Sequence, residues 1–313
     1  MNQNNLKLLQ KKFKLYGGLG SVDFNPNFQK SIALVSLNNV ESKNALSPKM
    51  MAELSEIVDS LENTSHDKNY PLTALILTGN KKTFCSGFDL RMTSSDNKFK
   101  GKEFANEMTH LMNDTLRKFS KLSLISIAAI DGWAIGGGAE LITACDFRCL
   151  SKNAKIKFVH SEMGVTTDYL TIGWGGSGRL ISILNQKEAL KILVSGKTLT
   201  ANDCLQNGLA DVVSEESSYG SLTDTVSINP VIKKSLDFLN DFIFVDKENS
   251  IMRSSSSIKS FKKIISSFSE EKPFIKFNEI ERDAFVSLWG ENDQLMALER
   301  KIKIKNAGEN KKY

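Results

Sequence analysis

Short apolar runs alternate with amphipathic stretches along the first half of the chain. Residues 31–37, 72–78 and 124–130 are apolar runs rich in β-branched residues, and each is followed by turn-forming residues, which predicts three buried strands. Residues 103–120 carry apolar side chains at intervals of three and four, which predicts an amphipathic helix. Strands that alternate with helices in this way predict an α/β fold.

A further helix is predicted to begin at Ser47. This serine suits the N-cap position and Pro48 suits the first helical position. The apolar residues that follow share one helical face: Met50, Leu54, Ile57, Val58 and Leu61.

A change in composition marks the predicted domain boundary. Residues 214–229 are polar and serine-rich and are the best candidate for a linker, and the pattern beyond them is helical and charged. The chain is therefore predicted to divide into an N-terminal extension at 1–16, a core at 17–225 and a helical C-terminal subdomain at 226–313.

Composition excludes several classes of protein. The chain has 313 residues, 41% of them apolar and 25% charged, which is ordinary for a globular protein. The chain contains no run of about 18 apolar residues, which is the length that a membrane helix requires. The net charge of +5 arises mostly after residue 250, where 13 Lys and Arg face 9 Asp and Glu. A surplus of this size favours anionic ligands such as nucleotide phosphates without requiring nucleic acid.

Cysteine and histidine usage predicts no metal site. The four cysteines lack metal-type spacing, so we expect free, mostly buried thiols in a reducing compartment. With three histidines and no HxxxH pattern, a zinc site is not expected. Residues 1–18 carry lysines but no arginine or serine, which favours a cytosolic extension over a mitochondrial transit peptide.

Two glycine-containing segments follow predicted strands. In TFCSGFDL, at 83–90, the small pair Ser86 and Gly87 lets the backbone turn so that the N–H of Phe88 can point into a pocket. In GWAIGGGAE, at 132–140, a glycine triplet precedes a predicted helix, and bare N–H groups there can hold a developing oxyanion beside Glu140. Taken singly, the first segment also fits a tight turn and the second fits close packing of helix on strand.

A third segment carries two candidate acid–base groups. KFVHSEMG, at 157–164, contains His160 and Glu162, and a second glycine cluster follows at 174–180. Taken alone, Glu162 is typical of a surface carboxylate and His160 of a structural histidine.

The order of these segments resembles the enoyl-CoA hydratase/isomerase (crotonase) family from about residue 17 to residue 300. The matching stretches are SLNNVESKNALSPKM, LILTGNKKTFCSGFDL, ISIAAIDGWAIGGGAELITACDFR and AKIKFVHSEMG. The resemblance implies a spiral of repeated ββα turns as the catalytic core. It also implies that the C-terminal helical subdomain assembles homotrimers or hexamers.

The resemblance also implies roles for individual residues. It assigns the two oxyanion-binding N–H groups to Phe88 and Gly137 and the two family carboxylates to Glu140 and Glu162. It places the coenzyme A part of an acyl-CoA substrate against Lys43, Ala45, Ser86, Asp89 and Leu90, with Lys43 as a candidate phosphate contact. Coenzyme A belongs to the substrate, and no separate cofactor or metal is implied.

Other residues resemble the branch of the family that decarboxylates 2-alkylmalonyl-CoA thioesters, such as ethylmalonyl-CoA and methylmalonyl-CoA. They are YGGLGSVDF, GWAIGGGAE, TACDFR, KFVHSEMG and SLWGENDQLMAL. Loss of CO2 would leave a thioester enolate, and either Glu162 or His160 would protonate its α-carbon. Two alternatives stay open: an enoyl-CoA hydratase/isomerase of fatty-acid metabolism, and a non-catalytic or RNA-binding relative.

Two features depart from the family pattern. Ser161 stands where many hydratases have a proline before the second glutamate, and residues 165–173 form a longer segment without the usual proline. Because both adjoin the expected pocket, they bear on which substrate fits it.

Overall fold

The structure of the chain is a computed structural model. It describes residues 3–65, 67, 70–163, 173–215, 229–248, 250–268 and seven positions between 286 and 299. The long segment before Trp174 (164–172) and most of the predicted linker (216–228) lie outside the described residues.

The described residues form ten α-helices and eleven strands. The helices are α1 (Gln3–Tyr16), α2 (Pro48–Ser65), α3 (Arg91–Ser95), α4 (Lys102–Lys121), α5 (Gly137–Thr143), α6 (Gly176–Ile183), α7 (Gln186–Ser195), α8 (Ala201–Asn207), α9 (Pro230–Ile243) and α10 (Ser255–Phe268). The strands are β1 (Ser21–Gln29), β2 (Ile32–Asn38), β3 (Ala74–Gly79), β4 (Ile125–Ile130), β5 (Trp133–Ile135), β6 (Phe147–Ser151), β7 (Lys155–Lys157), β8 (Leu199–Thr200), β9 (Val212–Ser214), β10 (Phe244–Asp246) and β11 (Ile251–Met252).

The main sheet has six strands in the order β1-β2-β3-β4-β6-β9. β1 pairs with β2 in the antiparallel sense, and the other neighbours are parallel. A parallel pair needs a crossover, which α2 supplies between β2 and β3 and α4 between β3 and β4. Parallel sheets are covered on both faces, and all six residues of β3 are accordingly buried.

A smaller sheet, in the order β5-β7-β8, lies beside the glycine-rich segments. β4, β5 and α5 follow one another directly and form one ββα turn of the predicted spiral. Gly132 joins β4 to β5 with a φ of 68°, in the left-handed region that favours glycine. The loop after β3 also joins the small sheet, because the N–H groups of Phe84 and Cys85 donate to the carbonyl of Trp133 in β5.

Helices cover both faces of the main sheet. One core cluster joins α2 and α4 to the sheet, with Leu54, Leu111 and Leu75 among its buried members. A second cluster lies on the opposite face, where α9 packs on Ile76 and Ile127. The region after 226, predicted as a C-terminal subdomain, thus contributes one helix to the core of the sheet.

The N-terminal helix α1 packs on α2 and α4. Phe13 is fully buried and stacks on Phe104 at a centroid distance of 5.6 Å. Lys12 forms an ion pair with Glu107, which also accepts a hydrogen bond of 2.9 Å from the hydroxyl of Tyr16. Residues 3–16 therefore form an ordered helix within the predicted N-terminal extension.

The structure confirms the predicted elements to within one or two residues at each end. The three predicted strands are β2, β3 and β4, and the helix predicted at 103–120 is α4. Ser47 is the N-cap of α2, because its hydroxyl accepts a hydrogen bond from the N–H of Met50 at 3.3 Å.

The four cysteines are free and buried, as predicted. Burial disfavours the thiolate and raises the pKa of three thiols to about 12 and that of the fourth to about 11 (Cys85, Cys145 and Cys204; Cys149). No group of acidic, histidine and cysteine side chains within the described residues could hold a metal ion. No helix in the described part of the chain is long and apolar enough to cross a membrane.

Candidate active site

The amide of Phe88 is free to bind a ligand. Leu46 and Phe88 form a parallel bridge, in which the N–H of Leu46 donates to Gly87 at 2.7 Å and the carbonyl of Leu46 accepts from Asp89 at 3.0 Å. In a parallel bridge of this kind, the N–H and C=O of Phe88 point away from the segment that contains Leu46. Within the described part of the chain, the N–H of Phe88 has no hydrogen-bond acceptor.

The amide of Gly137 is available for a different reason. It is the first residue of α5, so its N–H has no intrahelical partner. Gly136 has a φ of 54° and its own N–H donates to Lys157 at 2.9 Å, which anchors the glycine triplet to β7. Among the described residues no acceptor lies against the N–H of Gly137.

Gly87 brings the two amides together. A Cβ built on Gly87 would lie 3.1 Å from the nitrogen of Gly137 and 2.9 Å from the carbonyl oxygen of Ile135. Because the Phe88 amide is bonded directly to Gly87, it adjoins the Gly137 amide. The structure thus brings the two predicted oxyanion-binding N–H groups into one small region, with no side chain at position 87 to fill it.

Asn44 holds the loops that carry these amides. Its side chain is fully buried, accepts a hydrogen bond from the N–H of Asn39 at 2.9 Å and donates to the carbonyls of Asn80 and Thr83 at 2.8 and 2.6 Å. One amide side chain therefore ties together the loops that follow β2 and β3. This bonding fixes the position from which residues 84–89 run to the site.

Glu140 lies in the first turn of α5 and is only 2% exposed. Its Oε1 accepts a hydrogen bond of 2.8 Å from the N–H of Trp174, and its Oε2 lies 3.2 Å from Nε2 of His160. A Cβ on Gly176 would lie 2.7 Å from Cγ of Glu140, so the second glycine cluster packs directly on this side chain. Both carboxylate oxygens are therefore engaged by the protein.

In the pair of Glu140 and His160, Nδ1 of His160 is the atom without a described hydrogen-bond partner. The residue is 7% exposed, and its Nδ1 is buried with no hydrogen-bond partner among the described residues. With Nε2 against the carboxylate of Glu140, the favoured tautomer carries the hydrogen on Nε2. Nδ1 is then the ring nitrogen that is left to exchange a proton with a ligand.

The structure places Glu162 apart from this pair. Its carboxylate is 35% exposed and lies 2.7 Å from Nζ of Lys157. The same Oε1 would be 2.9 Å from a Cβ on Gly196, at the end of α7. Within the described residues, no hydrogen bond or ion pair joins Glu162 to Glu140 or His160.

The residues assigned to coenzyme A by resemblance lie on neighbouring loops. The N–H of Ser86 donates to the carbonyl of Lys43 at 3.1 Å, and the hydroxyl of Ser86 donates to Ser42 at 3.0 Å. Ala45 is buried and Leu90 is half-buried. The carboxylate of Asp89 is buried and pairs with Arg91 at 2.6 Å, so it holds the loop rather than facing a ligand.

A cavity of about 490 Å³ opens beside Lys43. It is lined by Val40, Lys43, Asn44, Asn80, Lys81, Lys82 and Thr83. Three lysines around one cavity make it suitable for phosphate groups. The sequence pattern alone did not single out Lys81 and Lys82, although they stand immediately before the TFCSGFDL segment in the loop after β3.

Trp174 and Arg179 were also not predicted as site residues. Trp174 donates its N–H to Glu140, and its carbonyl accepts from Nη2 of Arg179 at 2.9 Å. Nε of Arg179 in turn donates to the hydroxyl of Thr143 at 3.0 Å. The only sequence signal was the glycine cluster at 174–180, whose glycines allow α6 to approach α5 closely.

Comparisons with known proteins assign the chain to a family. The family model described as enoyl-CoA hydratase/isomerase matches residues 27–279. The ethylmalonyl-CoA decarboxylase of Rattus norvegicus is 34% identical over 284 residues, covering 91% of this chain and 84% of that protein. The ethylmalonyl-CoA decarboxylase of Xenopus laevis is 38% identical over 230 residues, covering 73% of this chain and 72% of that protein.

Solved structures agree on the fold. An enoyl-CoA hydratase/isomerase from Xanthobacter autotrophicus Py2 gives a TM-score of 0.70 at 20% identity, covering 89% of this chain and 91% of that one. An enoyl-CoA hydratase from Bacillus halodurans gives 0.69 at 21% identity, covering 89% and 99%. These structures confirm the predicted crotonase-type fold.

Substitution of Gly87 tests the close approach of the two amides. Gly87 and Gly208 have similar left-handed φ values of 87° and 83°, but a Cβ on Gly208 would meet nothing within 4 Å. We expect Gly208→Ala to lower the free energy of unfolding by about 1–2 kcal/mol through backbone strain alone. Gly87→Ala should lower the free energy of unfolding by about 1–3 kcal/mol more than Gly208→Ala, because its added Cβ has no room. Urea denaturation measures both, and equal losses would contradict the contact.

Proposed function

Because the chain belongs to the enoyl-CoA hydratase/isomerase family, we propose that it decarboxylates 2-alkylmalonyl-CoA thioesters, such as ethylmalonyl-CoA and methylmalonyl-CoA, to the saturated acyl-CoA. The observation that carries the proposal is the combination of two adjoining free amides with a buried acid–base pair, Glu140 and His160. The relatives named ethylmalonyl-CoA decarboxylase support the same substrate class.

The amides of Phe88 and Gly137 would bind the thioester oxygen. When the bond from the α-carbon to the substrate carboxylate breaks, CO2 leaves and the electron pair moves onto this oxygen. One positioned donor of this kind contributes about 3 kcal/mol to lowering the barrier. The step needs no protein base, because CO2 leaves the α-carbon instead of a proton.

His160 would supply the proton that the enolate then requires. As an imidazolium, it donates Nε2–H to Glu140 and gives its Nδ1 proton to the α-carbon, which yields the saturated acyl-CoA. The neutral imidazole regains its proton from solvent. His160 would also stand between Glu140 and the substrate carboxylate. Two such carboxylates would otherwise repel each other by about 1–4 kcal/mol at 4 Å.

The arrangement supports decarboxylation over hydration. A hydratase of this family would use two carboxylates to hold and activate one water. Here the oxygens of Glu140 contact Trp174 and His160, and Glu162 pairs with Lys157. The RNA-binding alternative is also weakened, because two of the three lysines of α10 are taken up within the fold: Lys259 is buried, and Lys262 contacts Ser120 and Asp146, while Lys263 is exposed.

The lysine-lined cavity would hold the phosphates of coenzyme A. Lys43, Lys81 and Lys82 bring three positive charges to a cavity beside the loop that carries Phe88. The pantetheine arm would then run past Ser86 to the two amides. This arrangement uses the substrate's remote phosphates to position its reacting end.

We also propose a homo-oligomer of three or six chains and a cytosolic location. The helix α10 turns its apolar side chains outward: Phe261, Ile264 and Ile265 are 67%, 63% and 69% exposed. An apolar face of this kind is typical of an interface between subunits. The free thiols are consistent with a reducing compartment. Residues 226–313 would provide the oligomerisation subdomain beside a catalytic core at 17–225.

The direct test of the function is a substrate comparison. We expect purified protein to release CO2 from ethylmalonyl-CoA and methylmalonyl-CoA with formation of butyryl-CoA and propionyl-CoA, measured by mass spectrometry and a coupled CO2 assay. Hydration of crotonyl-CoA should be slower than decarboxylation. Rapid hydration without CO2 release from either malonyl thioester would instead establish a hydratase.

Substitution of His160 tests the proton donor. We expect His160→Gln to lower kcat by about 10²–10⁴-fold, the usual contribution of a positioned acid. The matched control Glu162→Gln should keep kcat within about threefold, because that carboxylate pairs with Lys157. In D2O the wild type should give 2-deuterobutyryl-CoA of one configuration, and His160→Gln a mixture. The reverse pattern between the two variants would move the acid role to Glu162.

Removal of the lysine charges tests the cavity. Replacing Lys43, Lys81 and Lys82 by alanine should raise KM for ethylmalonyl-CoA by about tenfold or more with little change in kcat, because the lost contacts act on ground state and transition state alike. Ethylmalonyl-pantetheine lacks the nucleotide, so its KM should not change. A rise in KM for both substrates would show that the cavity does not bind the phosphates.

A further inference from the structure

The indole ring of Trp174 lies on one of the two oxyanion-binding residues. A Cβ built on Gly137 would lie 2.3 Å from Cζ3 and 2.4 Å from Cη2 of this ring. Since a Cβ stands about 1.5 Å from its Cα, the ring edge is in van der Waals contact with the Cα of Gly137. Trp174 is only 2% exposed, so the ring is closely packed.

The backbone of Trp174 is fixed at both of its polar groups. Its N–H donates to Oε1 of Glu140 at 2.8 Å, and its carbonyl accepts from Nη2 of Arg179 at 2.9 Å. Glu140 is anchored in α5, the helix that begins at Gly137. These bonds fix the position of the ring relative to the oxyanion-binding amide and to the acid–base pair.

This position brings the ring within reach of the reacting part of the substrate. A thioester oxygen bound by the N–H of Gly137 would lie about 3 Å from that nitrogen. The ring contacts the adjoining Cα, so an α-substituent of the substrate that extends along the Gly137 backbone would meet the ring edge. An indole edge is apolar and suits contact with a short alkyl group.

We propose that Trp174 is a specificity-determining residue that limits the size of the alkyl group on the α-carbon of the substrate. The inference rests on the proposed decarboxylase function and adds the group that selects the substrate within that class. An indole in this place accepts a methyl or ethyl branch and excludes longer ones. A smaller side chain opens a space beside Gly137 without removing either amide donor.

A purely structural role for the same ring makes a different prediction. If Trp174 only filled space in the core, its substitution would lower stability and reduce turnover of every substrate by a similar factor. A change in the ratio between substrates requires contact with the group by which they differ.

The test compares four thioesters that differ only in the α-branch: methyl-, ethyl-, propyl- and butylmalonyl-CoA. Wild-type kcat/KM should fall with branch length beyond ethyl. For Trp174→Leu, the ratio of kcat/KM for butylmalonyl-CoA to that for methylmalonyl-CoA should rise by about tenfold or more, because a methylene that fits or fails to fit a pocket changes kcat/KM by about this factor. Trp174→Phe should show a smaller rise in this ratio. It replaces Trp174→Leu in the test if the leucine variant does not fold.

The matched control is Trp133→Leu. Trp133 lies on β5 with Nζ of Lys155 5.2 Å from its ring centre, and the three atoms nearest a Cβ on Gly137 all belong to Trp174 instead. Substitution of Trp133 should therefore leave the ratio unchanged. An active wild type with the same ratio in all three variants overturns the role of Trp174 alone. A wild type that releases no CO2 from any of the four thioesters overturns the proposed function and this role together.

Discussion

The close approach of two backbone segments, at Gly87 and Gly137, is the constraint on which the site depends. Position 87 has a left-handed φ of 87°, and a Cβ there would collide with the carbonyl of Ile135 and meet the nitrogen of Gly137. Only a residue without a side chain lets the Phe88 amide lie beside the Gly137 amide. The parallel sheet, the small sheet and the buried Asn44 all act to hold these two segments at this distance.

A buried carboxylate links this pair of amides to the chemistry. Burying the charge of Glu140 would be costly unless both of its oxygens were satisfied. They are satisfied by the N–H of Trp174 and by His160, which come from segments far apart in the chain. The same bonds leave Nδ1 of His160 buried without a described partner, so the residue that satisfies the charge of Glu140 is also the proposed proton donor.

Local patterns were sufficient to predict much of the fold. Apolar runs located β2, β3 and β4, and Ser47 with Pro48 located the start of α2, because burial and capping act over a few residues. The three-residue strands β5 and β7 are too short to carry a periodic signal, and bonds to distant segments form them. The packing of α9 on the second face of the sheet likewise depends on residues in distant strands, so the sequence of α9 alone does not reveal it.

The candidate site was predictable in part for the same reason. Glycines mark places where backbone comes close, so Phe88 and Gly137 could be named from the segments that contain them. The partner of a charged side chain depends on the three-dimensional surroundings, and sequence left both Glu162 and His160 as candidate acids. Only the fold shows that Lys157 pairs with Glu162 while Glu140 contacts His160, and that Trp174 lies on Gly137.

The central claim is that the amides of Phe88 and Gly137 polarise a thioester carbonyl. Isotope-edited infrared difference spectroscopy of bound butyryl-CoA, labelled with ¹³C at the thioester carbon, measures this directly. Two fixed donors weaken the carbonyl bond more than water does, so its stretching band should move to lower frequency than that of the same thioester free in solution. A band at the solution frequency, or above it, would contradict the account.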